Sequence, residues 1–212
     1  MTTNPSTKIR KATAEDVEQL AKLIDIAGEG IPTWLWAKTT NGTQTPLDVG
    51  KERARRTAGG FSYTNALVIE NNERPGGMVL SYAIDEAPDD NPDDLPGPIA
   101  PFVELEKRSI GTWYINALAV FAEHRGLGLG TQLMKRVERL ALDSGYEKMS
   151  IQVYAQNHGA VKLYKRLGYT PCASSPVRQH PCQPYYTGDV LLLIKELDAS
   201  HRSRRLPFPQ PI

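Results

Sequence analysis

Cysteine is nearly absent: Cys172 and Cys182 are the only two in 212 residues. A disulfide-stapled scaffold is thereby excluded, and no CxxC-type spacing joins them to His158 and His180 as a zinc site. The expectation is reduced thiols and no metal. Long apolar runs are missing as well. No stretch approaches the ~20 residues of a membrane helix, and the opening MTTNPSTKIR lacks the apolar core of a signal peptide. Charge of one sign is also lacking. Lys and Arg number 25 against 24 Asp and Glu, a net +1, so nothing electrostatic points to nucleic acid or a membrane surface as partner. A cytoplasmic protein of one domain plus a tail, without internal repeats, is expected.

What is present concentrates between Trp113 and Leu142. Trp113–Val120 (WYINALAV) is β-branched, aromatic and apolar, with Asn116 its one strongly polar member, as in a buried central strand. From Leu129 the apolar residues recur at Leu133, Val137, Leu140 and Ala141, the spacing of one helix face, and Gly145 stops that helix. Between strand and helix lies Arg125-Gly126-Leu127-Gly128-Leu129-Gly130. Helix N-termini carry unpaired N–H groups and a partial positive charge. Glycines let a phosphate approach the backbone and permit positive φ, and Arg125 adds a fixed cation. Together they predict a pyrophosphate cradle.

The loop departs from two common nucleotide motifs. A Walker A loop needs Lys-Ser/Thr after its last glycine, and the dinucleotide fingerprint needs a glycine where Thr131 stands. It does match Arg/Gln-x-x-Gly-x-Gly/Ala at Arg125, Gly128 and Gly130, which resembles the acetyl-CoA motif of the GNAT N-acetyltransferase superfamily. A second stretch, VYAQNHGAVKLYKRLGYTP, resembles the other signature of that family, Asn-x-x-Ala-x-x-Leu-Tyr-x-x-x-Gly-Phe/Tyr. It matches at Asn157, Ala160, Leu163, Tyr164, Gly168 and Tyr169.

The remaining elements read in order. Lys8–Ala12 is a strand, and Thr13 with Asp16 caps a helix whose apolar face is Val17, Leu20, Ala21 and Ile24. IPTWLWAKTT and PLDVGKERARR follow as helical pieces. One of Trp34 and Trp36 is expected in the core; the resemblance implies that this helical pair covers the acceptor site, which places the other beside it. Residues 61–70 and 77–84 are strands joined by a turn-rich loop at 71–76. Residues 85–108 read as a long acidic, proline-rich loop whose apolar patch, 101–105, carries Glu104 inward. Lys148–Tyr154 is a strand, and Asn157 caps a helix ending at Leu167–Gly168. Tyr186–Leu197 is the last strand.

The resemblance covers residues 8–197, leaving 198–212 as a basic, proline-rich tail. It implies an α+β fold, a mixed, mostly antiparallel sheet flanked by helices, whose middle strands splay into a slot for acetyl-CoA. The pantetheine arm is expected on backbone groups of Leu118, Ala119 and Val120. The pyrophosphate is expected on Arg125 through Gly130, with Thr131 opening the helix and Asn157, Ala160 and Tyr164 completing the donor side. The implied reaction is direct attack of a primary amine, on a small molecule or a protein, upon the thioester in a ternary complex. Tyr164 then matches the proton donor to the thiolate. Glu104 is the first choice of base, ahead of Glu106, Glu123 and Asp85. Trp34, Asn116 and Glu104 are expected on the acceptor side, with Asn116 on the same face as Leu118. Carboxylates at 86–94 would draw a cationic acceptor, and homodimers are common in the family. The alternative is a non-catalytic acyl-CoA-binding regulatory module.

Overall fold

Seven strands assemble side by side. A computed structural model describes residues 7–71, 74–87, 95–179, 184, 187–198 and 200. The strands are β1 (Thr7–Lys11), β2 (Ala66–Asn71), β3 (Arg74–Ile84), β4 (Thr112–Val120), β5 (Lys148–Tyr154), β6 (Thr170–Pro176) and β7 (Asp189–Glu196). They form one sheet in the order β1-β2-β3-β4-β5-β7-β6, antiparallel throughout except between β4 and β5. The helices are α1 (Val17–Ala27), α2 (Ile31–Ala37), α3 (Pro46–Arg55), α4 (Ala100–Glu106), α5 (Leu129–Asp143) and α6 (His158–Arg166). This is the expected α+β architecture. Among the described residues no helix is long and apolar enough to cross a membrane.

Strand alternation distributes the core to both faces. Val68, Met78 and Leu80 pack with α1, α3 and Trp36 on one side. Leu67, Ile69 and Val79 pack with Leu133, Met134 and Val137 of α5 on the other. Arg10 joins three elements: its guanidinium donates to both carboxylate oxygens of Asp16, at 2.7 and 2.9 Å, and to Glu70 at 2.6 Å. Asp16 also accepts the Thr13 N–H, closing the predicted capping box. The hydrogen bonds from Arg10 hold the Asp16 carboxyl below its usual range.

Four expectations need correction. The stretch before Ala66 is a turn rather than strand, because Ser62 accepts the Thr64 N–H through its hydroxyl and donates to the Arg56 carbonyl. Strand β3 begins at Arg74, so most of the anticipated 71–76 loop is strand. Residues 100–106 are a helix, not loop: Pro101 sits in the first turn, where a missing N–H costs nothing. Strand β6, unanticipated because of Pro171 and Pro176, is an edge strand, where proline is tolerated. Most of the acidic 86–94 segment, His180, Cys182, Tyr186 and most of the tail lie outside the described residues.

The feature that positions the site is the junction of β4 and β5. They pair only at Trp113–Met149, Tyr114–Ser150 and Ile115–Ile151, and then part. On the other side of β4 the register jumps from Ser81–Ile115 to Leu80–Ala117, leaving Asn116 as an extra, bulged residue. A bulge bends its strand and reverses the inward–outward phase. Ile115 packs with α5, whereas Ala117 and Ala119 pack with α1.

Candidate active site

Where β4 and β5 separate, a cleft of about 590 Å³ opens. Its walls come from β4, β5, α4, α6 and the corner between α1 and α2. The β4 edge facing β5 has no strand partner beyond Ile115. The Phe121 N–H bonds to Gly76 on β3, and the Ala119 carbonyl also points at β3. By alternation, the backbone groups of Leu118 and Val120 face the cleft, while those of Ala119 face β3. The Val120 carbonyl accepts Nε of Arg125 at 3.2 Å, which folds the arginine back along this edge. Ala119 therefore lines the cleft without offering it a backbone partner.

Of the residues singled out from sequence, Asn116, Leu118, Ala119, Val120, Arg125, Asn157, Ala160 and Tyr164 all line the cleft. Gly126, Leu127, Gly128, Leu129, Gly130 and Thr131 do not; they form the loop and first turn of α5 that continue from Arg125. Gly126 and Gly128 have φ of +80° and +76°, and a Cβ on either would meet nothing within 4 Å. These glycines are required by conformation and leave the loop surface open. Leu129 is buried against α5's core, so only its backbone is available there. Thr131 accepts a hydrogen bond from Arg166 at 3.3 Å.

Three acceptor-side expectations change. Glu104 is exposed, accepts a hydrogen bond from Ser175 on β6 at 2.8 Å, and does not line the cleft. The reason is helical phase: two residues along a helix turn by about 200°. Ile99, Phe102, Val103 and Glu106 share the cleft face, so the inward carboxylate is Glu106. Trp34 does not line the cleft either; its ring lies 3.6 Å under the Lys38 ammonium, while Trp36 is the buried core anchor. Asn116 donates to the Tyr82 hydroxyl at 2.9 Å, on the α1 side, and so does not share the face of Leu118. The bulge at Asn116 itself breaks the period-two reading.

Tyr164 follows Ala160 by one helical turn and is buried beside Tyr169. Burial, and secondarily the charge of Glu29, hold its phenol far above the ordinary range. The end of α6 closes as expected: Gly168 and Tyr169 donate to the Lys165 and Tyr164 carbonyls, and Gly168 has φ +91°.

Sequence reasoning missed Glu29. Among the described residues it is the one non-glycine with positive φ, +53°, a strained conformation that is often tied to function. Its Oε1 accepts Nδ2 of Asn157 at 2.9 Å, while Asn157 Oδ1 caps α6 by accepting the Ala160 N–H. One asparagine thus connects the α1 corner to α6 across the cleft. The flanking Gly28 and Gly30 were a signal of tight backbone, but no pattern pointed to the carboxylate. Burial raises the Glu29 carboxyl, against the opposing Asn157 hydrogen bond and the charge of Arg125.

The sign of that shift gives a test. Folding raises the Glu29 carboxyl above its usual 4.5, so ionisation favours the unfolded chain, and the associated stability is lost as pH rises. Glu29→Gln keeps an acceptor for Asn157 and removes the charge. Its melting temperature should exceed wild type at about pH 8, and the gap should close near about pH 3.5. Melting curves at both values check this; an equal gap at both would contradict it.

Comparison with known proteins matches residues 30–169 to the acetyltransferase (GNAT) family model. An uncharacterized N-acetyltransferase, YobR of Bacillus subtilis (strain 168), is 36% identical over 64 residues, 30% of this chain and 26% of that protein. Thialysine N-epsilon-acetyltransferase of Bos taurus is 34% identical over 82 residues, 36% of this chain and 48% of that protein. The chain thus spans between about a quarter and about a half of these two relatives. Among solved structures, yncA from Salmonella typhimurium with its cofactor acetyl-CoA superposes with a TM-score of 0.58 at 20% identity. That match covers 91% of this chain and 94% of that one.

Proposed function

The chain belongs to the acetyltransferase (GNAT) family, and on that premise we propose that it transfers the acetyl group of acetyl-CoA to a primary amine in a ternary complex. The observation that carries this reading is the unpaired β4 edge at Leu118 and Val120, opening onto the cleft and leading through Arg125 into the glycine loop. A strand edge can bind an extended amide-bearing arm, as peptides add to sheets. First-turn N–H groups of α5 and the Arg125 cation suit a pyrophosphate. The chain's residues therefore fit acetyl-CoA, which supplies an activated thioester.

The chain's own groups take the following parts. Glu106, the carboxylate on the cleft face of α4, accepts the proton of the acceptor ammonium, directly or through water. It replaces Glu104 in that role. The amine nitrogen then forms its bond to the acyl carbon as the carbon–sulfur bond breaks; the nitrogen gives its remaining excess proton to solvent, and the electron pair leaves with sulfur. A cleft-facing N–H of Leu118 or Val120 can meet the oxygen's developing charge. Tyr164 donates a hydrogen bond to the departing thiolate. A phenol held so high does not give its proton up fully to a thiol that titrates near ~8.5, so it stabilises the anion and solvent completes protonation.

The test is release of free thiol from acetyl-CoA in the presence and absence of amines. Amine-dependent release supports the transferase. Saturable acetyl-CoA binding without release on any amine would favour the non-catalytic acyl-CoA-binding module instead.

A further inference from the structure

Aromatic rings line much of the cleft. Tyr82 and Tyr114 meet edge to face with centroids 5.7 Å apart, and Phe102 and Tyr154 do the same at 5.3 Å. All four line the cleft, drawn from β3, β4, α4 and β5. Phe61 lines it as well and remains 41% exposed, one of three large apolar side chains left so open among the described residues. Gly60 brings this turn against Tyr82: a Cβ there would sit 2.9 Å from the Tyr82 hydroxyl. Phe61 thus adds an exposed apolar side chain to a cleft lined mostly by apolar and aromatic groups, the composition of small-molecule sites.

Charge in the cleft is sparse and balanced. Among the described residues its lining holds two carboxylates, Glu29 and Glu106, and two guanidiniums, Arg53 and Arg125. Glu106 is the carboxylate near the aromatic rings, its charge acting on the hydroxyls of both Tyr82 and Tyr114. A polycation would need several carboxylates to offset the desolvation of each ammonium. One carboxylate amid aromatic rings suits one ammonium, held by charge and by the ring faces.

Resting on the transferase reading above, we propose that the acceptor is a monoamine on an aromatic or bulky apolar body. Its nitrogen lies toward Glu106, and its body packs against Phe61, Tyr82 and Phe102. The described lining offers a polyamine or a basic peptide just this one carboxylate beside the rings.

The experiment measures thiol release from acetyl-CoA with 2-phenylethylamine, n-butylamine, spermidine and a lysine-rich peptide, alongside the melting shift produced by acetyl-CoA alone. The expected kcat/KM for 2-phenylethylamine exceeds that for n-butylamine by at least about tenfold, and spermidine and the peptide fall below both. Phe61→Ser should raise KM for 2-phenylethylamine by about fivefold or more with a smaller effect on n-butylamine, since only the aryl group reaches the lost surface. Equal efficiency for the two monoamines overturns the inference, as does preference for spermidine or the peptide. So does a clear acetyl-CoA melting shift with no turnover of 2-phenylethylamine. Absence of any acetyl-CoA melting shift instead overturns the transferase reading on which the inference stands.

Discussion

Gly128→Val should weaken acetyl-CoA binding by at least about a hundredfold, or about 2.7 kcal/mol. Gly128 caps the N-terminus of α5 with φ +76°. A side chain forced into the left-handed region costs roughly 1–2 kcal/mol, and a β-branched one is the worst suited to it. The strain would be relieved by rotating the loop, which turns the first N–H groups of α5 away from the place proposed for the pyrophosphate. Each hydrogen bond to a charged group is worth about 1.5–3 kcal/mol, so losing one and distorting another accounts for the effect. The control is Gly145→Val, at φ +94° beyond the other end of the same helix. It should lower the melting temperature comparably and leave the acetyl-CoA Kd within about threefold, since its strain is of the same kind but far from the loop. Calorimetric titration separates the two. Comparable binding by Gly128→Val and wild type would contradict the cradle.

Tyr164→Phe should lower kcat by about 10- to 150-fold with little change in acetyl-CoA KM, the span of one hydrogen bond to a charged atom. The substitution preserves the ring, which packs in the α5–α6 core beside Tyr169, so the melting temperature should hold. This separates the two parts that Tyr164 could play. A residue that only fills the core loses nothing in kcat when its hydroxyl goes; a thiolate partner loses most of it. The pH profile adds a further distinction. Because burial raises the phenol, Tyr164 stays protonated through the whole working range, and wild-type kcat should show no descending limb below about pH 10. A descending limb near about pH 8.5 that Tyr164→Phe abolished would mean the phenol titrates in range and gives its proton away.

The parts of this site that were legible in the sequence are those written locally. Strand, glycine loop and helix from Trp113 to Leu142 lie close together in the chain, the strand written as an apolar run, the loop in its glycines and the helix in its period. The cap at Asn157 and the left-handed Gly168 are likewise set by neighbours a few residues away. What escaped depends on longer-range or non-periodic features. Prolines hid α4 and β6, because a proline at a helix start or sheet edge is permitted only by its position in the finished fold. Reading 101–105 as loop put Glu104 inward; as helix, the same residues turn Glu106 inward and Glu104 toward Ser175. The bulge at Asn116 reversed the phase of β4 without any change in composition. Glu29 meets Asn157 across 128 residues of chain, a contact no window reveals.

The cleft between β4 and β5 as the acetyl-CoA site is the claim on which the rest depends. Amide hydrogen exchange, followed residue by residue with and without acetyl-CoA, tests it most directly. Addition of acetyl-CoA should slow exchange at Leu118, Val120 and the loop from Gly126 to Thr131, and ATP at the same concentration should not reproduce the pattern. Unchanged exchange along β4 and this loop, in protein shown to have bound acetyl-CoA, would place the ligand elsewhere and contradict the account.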